Sequence, residues 1–249
     1  MLTRPHGCHK LVYTDSSMCR GIFRSAERLG GKQMRNVALL IGIVLLVCSA
    51  GCSRGSSELA KLQRQAAEGD VIAQYNLGCV YAEGDGVQKD AVKAAKWFLK
   101  AAESGDVDAQ YMLAVMYDDG EGVEEDDTAA VKWYLEAAKQ GDQFSQYNLA
   151  VMYDDGTGVE QDYVKAMHWY RQAAEQGDID GQFSIGIMYQ LGEGVRADQA
   201  IAHAWFSLAA DNGHADAEEK CLLLQDQLSE EELSKAKALQ SELAERYGR

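Results

Sequence analysis

Few residues here have the types and spacing to do chemistry. Ser234 and Lys237 stand at the Ser-x-x-Lys interval of a nucleophilic serine and its basic partner. No companion motif accompanies them, and they fall in a charged terminal stretch, so the match reads as coincidence. The chain has no His-Glu-x-x-His, no paired Cys-x-x-Cys, no Gly-x-x-x-x-Gly-Lys and no nucleophile elbow. His168 and His203 have no ligating residue one helical turn on, and read as packed or surface imidazoles. The acidic turn Asp118-Asp119-Gly120-Glu121-Gly122, with Glu124 to Asp127 behind it, invites a calcium reading. It lacks the alternating oxygen ligands of an EF-hand loop. Solvated charge and helix-capping aspartates are the simpler account. The expectation is a protein without catalytic residues, metal or cofactor, whose function lies in a surface.

The elements must therefore be read for what they present. The 249 residues carry 24 Lys/Arg against 39 Asp/Glu, a net charge of −15. That argues against nucleic acid as a partner, since phosphates demand a basic face. A hydrophobic content of 47% is enough for a core. There are 24 glycines but one proline, Pro5, so the chain after it is proline-free and glycine-punctuated. That pattern reads as many short helices joined by tight turns.

The N-terminal part reads as an address. Val37 to Val47 form an apolar run of eleven residues, too short for a bilayer span, which takes about 20. Arg35 precedes it and small residues follow it, as in a secretory signal. Ser49-Ala50-Gly51-Cys52 resembles the bacterial lipobox, with Ser49 where that motif usually carries leucine. The resemblance implies that Cys52 is the lipidated first residue of the mature chain, the alternatives being an uncleaved anchor and cleavage without lipid. The expected division is a non-native upstream extension over 1–33, a signal segment over 34–51 with translation starting at Met34, and a tether over 52–57. Without 1–51 the net charge becomes −20.

A period of 36 residues organises the remainder. It links Trp97, Trp133, Trp169 and Trp205, which are all the tryptophans in the chain. It also links Gly69, Gly105, Gly141, Gly177 and Gly213, and the turn glycine pairs beginning at Gly84, Gly120, Gly156 and Gly192. A fixed period of this size means a solenoid. Within one unit, Asp70 is placed to cap a first helix whose stripe is Ala73, Leu77, Val80 and Tyr81. Gly84 ends that helix, and Asp90 caps a second whose buried face is Ala94, Trp97, Phe98, Ala101 and Ala102. Units are expected at about 69–104, 105–140, 141–176 and 177–212, with capping helices over 57–68 and 213–247. Ser229 to Glu232 has the form of a capping box opening the last helix.

The stretches AQYNLGCVYAEGDGV (73–87), AQYMLAVMYDDGEGV (109–123), SQYNLAVMYDDGTGV (145–159) and GQFSIGIMYQLGEGV (181–195) resemble the Sel-one-like repeat family, a relative of the tetratricopeptide repeats. Each leads to Trp-Phe or Trp-Tyr and then Ala-Ala. The resemblance implies an all-α fold: a right-handed α-solenoid of antiparallel helix pairs with 36-residue repeats, used as an adaptor for other proteins. Some secreted members carry a cysteine pair in every repeat, and β-lactam binding is attributed to that branch. Here only Cys52, Cys79 and Cys221 lie beyond the signal segment, which disfavours it. Cys79 and Cys221 sit about four units apart, too far for one disulfide, and are expected as buried thiols.

By analogy with tetratricopeptide repeats, the first-helix face off the buried stripe lines a concave groove. Its expected partner-binding residues are the aromatic ladder Tyr75, Tyr111, Tyr147 and Phe183, and beside it Asn76, Met112 and Asn148. The rim is Asp118, Asp119, Asp154 and Asp155, which calls for a protein partner with a basic patch. The rival reading of the ladder is packing between units. The expected role is a non-enzymatic scaffold in the periplasm, anchored by lipid at Cys52, with the outer membrane favoured. Alternatives are a cell-wall ligand binder or hydrolase of the cysteine-rich branch, and an inhibitor of one envelope enzyme.

Overall fold

The computed structural model describes residues 57–247, which hold eleven helices and no strand. They fall into two compact units, one ending at Asp106 and one beginning at Val107. The first contains α1 (57–67), α2 (Val71–Glu83) and α3 (Ala91–Glu103). The second contains α4 (Val107–Asp119), α5 (Asp127–Lys139), α6 (Gln143–Asp155), α7 (Tyr163–Glu175), α8 (Ile179–Leu191), α9 (Gln199–Asp211), α10 (Ala217–Gln225) and α11 (Glu230–Tyr247). The upstream extension, the signal segment and Cys52 lie outside the described residues. No helix among the described residues is long and apolar enough to cross a membrane.

Local chemistry sets the helix boundaries. Asp70, Asp142 and Asp178 sit in extended backbone and accept the amide three residues on, which satisfies a free helix N–H. Asp90, Asp126, Asp162 and Asp198 do the same for the second helices. The amides of these four also donate to the carbonyls of Tyr81, Tyr117, Tyr153 and Tyr189 at 2.8–2.9 Å, tying each second helix to the end of its first. The result is eight helices of 13 residues each, α2 to α9, packed as α2 on α3, α4 on α5, α6 on α7 and α8 on α9. Within the second unit, α5 also packs on α6 and α7 on α8. The fold is the expected all-α solenoid of antiparallel helix pairs with a 36-residue repeat.

The core differs from expectation in one respect. The tryptophans are not uniformly buried: Trp133 and Trp205 are, but Trp97 and Trp169 are only half-buried. Lys100 stands 3.9 Å above the Trp97 ring, and His168 meets Trp169 edge-on. The fully enclosed rings are their neighbours Phe98, Tyr134, Tyr170 and Phe206. A helix turns 100° per residue, so the aromatic that points between the paired helices leaves the tryptophan before it at the edge.

Two glycine positions are close approaches. A side chain at Gly78 or Gly186 would meet the ring of Phe98 or Phe206 at 2.6 Å. A side chain at Gly158 would run into the backbone of Asp127, and one at Gly194 into that of Tyr163. The second turn glycine therefore lets one repeat seat against the second helix of the repeat before it.

The C-terminal cap breaks the pattern. Asp70, Asp142 and Asp178 give way to His214 at the equivalent position. α10 begins late, with no side-chain cap. α11 opens on the capping box, with the Ser229 amide donating to Glu232 Oε2 at 2.9 Å and the Glu232 amide to Ser229 Oγ at 3.3 Å. It packs along α9, where Tyr247 stacks on Trp205 and Gln240 donates to Asp211.

Candidate partner-binding face

Each ladder aromatic packs on the enclosed ring of its own repeat. The centroid distances are 5.7 Å for Tyr75–Phe98, 6.2 Å for Tyr111–Tyr134, 5.7 Å for Tyr147–Tyr170 and 5.2 Å for Phe183–Phe206. Tyr75, Tyr147 and Phe183 keep part of their surface in solvent. Tyr111 does not: Phe144 covers its other side at 6.0 Å and leaves it 2% exposed. Tyr111 is thus a packing residue rather than a contact residue. His214 stacks flat on Phe183 at 4.0 Å, donates from Nε2 toward Asp180 at 3.3 Å and accepts the Asp216 amide at Nδ1. Burial, followed by the charges of Asp180 and Asp178, pushes the Tyr147 hydroxyl up to about 12.

Of the residues beside the ladder, Asn76 and Met112 are half-buried. Asn148 is enclosed, with its Nδ2 lacking a partner, so it is withdrawn from the face. The expected acidic rim divides in two. Asp119 and Asp155 are exposed. Asp118 and Asp154 turn inward and accept the hydroxyls of Tyr134 and Tyr170, each at 3.2 Å. Burial raises both carboxyls above the ordinary aspartate value.

This inward turn explains the variation among repeats. Where the enclosed ring is tyrosine, the acceptor is Asp118 or Asp154 and the small first-helix residue is Ala114 or Ala150. Where it is Phe98 or Phe206, the acceptor position holds Ala82 or Gln190 and the small residue is Gly78 or Gly186. The inner and outer repeats use two matched sets of three residues.

A second ladder escapes sequence reasoning. Gln110, Gln146 and Gln182 are buried, and each accepts at Oε1 from an amide 30 residues on. The donors are Gln140 at 2.8 Å, Gln176 at 2.8 Å and Asn212 at 2.9 Å. Gln74 and Gln146 also donate to the carbonyls of Ala66 and Ala138 in the preceding helix. In the first repeat the donor position is Ser104, whose hydroxyl bonds Lys100 instead, and Gln74 Oε1 is left unpartnered. The signal was present, since these glutamines recur with the period. Polar residues in a helix are ordinarily read as solvent-facing.

The remaining candidates fall outside any reactive cluster. Cys221 is a free thiol, half-buried and 3.4 Å from Ser207 Oγ. Cys79 is buried but is not the expected thiol: it is disulfide-bonded. His203 is buried and accepts or donates at 3.3 Å to Ser207, and desolvation lowers its pKa. Among the described residues no cluster of His, Cys, Asp or Glu could hold a metal ion.

The Sel1 repeat family matches residues 71–106, 107–142, 143–178 and 179–214. The chain belongs to the Sel1 repeat family. Proteins of this family generally mediate contacts between proteins. A solved Sel1 repeat protein from Oxalobacter formigenes is 31% identical, covers 83% of this chain and 84% of its own, and superposes with a TM-score of 0.64. A protective antigen with an SLR fold from uropathogenic Escherichia coli is 30% identical over 75% of this chain and 48% of its own, with a TM-score of 0.50. Among curated proteins no significant match was found.

Proposed function

We propose that the chain is a non-enzymatic scaffold of the bacterial envelope that holds a protein partner on its first-helix face. One observation carries this reading: rings at equivalent positions of three repeats stay partly open, and exposed carboxylates stand at the ends of first helices. In residues 107–247 these are Tyr147 and Phe183 with Asp119 and Asp155, and Met112 lies half-buried on the same face. In residues 57–106 Tyr75 is likewise partly open, with Asn76 half-buried and Glu83 exposed at the end of the helix. Open aromatics supply contact area at low entropic cost, and the carboxylates favour a partner with a basic patch. Tethering through lipid on Cys52 places the scaffold in the periplasm, at the outer membrane.

The test uses Asp119→Lys with Asp155→Lys. Both sites are exposed, so melting should not move. Capture of the envelope partner should weaken, and the natural chain's affinity should fall as salt rises. Affinity indifferent to both changes would contradict the reading.

A further inference from the structure

Every first helix but one is covered by the second helix of its own repeat. Gly78, Ala114, Ala150 and Gly186 are all buried at the point of closest approach, and Phe98 and Phe206 lie over the two glycines. α10 is the fifth first helix. Its Ala217 and Leu224 are fully buried, as the repeat register requires. Its Leu222 occupies the position of Gly186 yet is 60% exposed, and Leu223 beside it is 52% exposed. The cause is topological: α11, which follows, packs along α9 and reaches α7 instead of closing over α10. The repeat is left half-built, with leucine at 222 where the others carry glycine or alanine.

Charge selects what can cover this face. Glu218, Glu219 and Asp226 lie one helical turn from the leucines and are exposed, against a single half-buried cation on the helix, Lys220. A second copy would bring the same acids against them, in a chain already at −15, and an anionic membrane would be repelled likewise. We infer that the open face of α10, centred on Leu222 and Leu223, docks an amphipathic helix of another protein, with an apolar stripe and basic flanks. Such a helix would complete the fifth repeat in the helix-in-groove manner. The face lies one repeat beyond Phe183, the last ladder ring, and its variants leave Tyr147, Asp119 and Asp155 intact, so its failure leaves the scaffold reading standing.

The probe is a peptide of about 20 residues, long enough to be helical, with leucine on one face and lysine on both flanks. A counterpart carries glutamate on the flanks. The lysine peptide should bind the full chain at least about tenfold more tightly than its counterpart. It should slow amide exchange in residues 217–225. Leu222→Asp with Leu223→Asp should weaken it by about tenfold or more without moving the melting temperature, because both side chains already face water. Val164→Asp, at another exposed apolar position, should change nothing. Absence of binding, equal binding to the Leu222/Leu223 variant, or self-association that this variant abolishes would each overturn the assignment.

Discussion

The hydroxyl of Tyr134 donates to the carboxylate of Asp118 at 3.2 Å, across the paired helices of one repeat. Tyr170 and Asp154 make the same bond one repeat on. The two flanking repeats dispense with it, having Phe98 opposite Ala82 and Phe206 near Gln190. Acceptor and donor are thus chosen together, as a buried hydroxyl demands.

The pairing predicts a rescue. Phe98→Tyr alone puts a hydroxyl where Ala82 offers no acceptor, and should cost about 1–3 kcal/mol in urea unfolding. Adding Ala82→Asp should recover most of that loss. An additive double variant would contradict the pairing.

The burial of these two carboxyls sets a pH dependence. Burial lifts Asp118 and Asp154 above the ordinary 3.8. A carboxyl with a raised folded-state pKa adds stability that is complete below its unfolded value and is lost as pH rises through the folded value. Asp118→Asn with Asp154→Asn retains an oxygen to accept each tyrosine while removing that titration. From pH about 4 upward, the double variant should therefore hold its melting temperature better than the natural chain. A gap that closes with rising pH would refute the sign.

The glutamine ladder predicts a gain. Ser104→Gln supplies the donor that the other repeats possess and that Gln74 Oε1 lacks. Satisfying a buried acceptor should raise unfolding free energy by about 1 kcal/mol. Gln74→Leu in the same background should erase the gain. Equal gains with and without Gln74 would point to helix propensity at position 104 instead.

The repeat itself was legible, because tryptophan, glycine and capping aspartate each mark a position that tolerates little else. What those residues do was less so. The tryptophan register looked like the centre of the core, yet Phe98 and Tyr134 hold it. Adjacent rings on a helix point about 100° apart, so only one enters between the paired helices, and composition does not say which one does. Asp118 and Asp119 are neighbours of one type, and only the fold turns one inward to a tyrosine and the other to water. Tyr111 differs from Tyr147 because residue 144 is phenylalanine while its counterpart 180 is aspartate, a contact between repeats that no single-repeat reading contains. The course of α11 along α9 depends on contacts such as Tyr247 on Trp205, 42 residues apart in the chain.

The scaffold reading is tested most directly by placing a photoreactive side chain at Tyr147 in living cells. The account predicts one discrete protein adduct in the envelope fraction, weakened by Asp119→Lys with Asp155→Lys and absent when the probe sits at Val164. No adduct at Tyr147, or the same adducts from both positions, would contradict it.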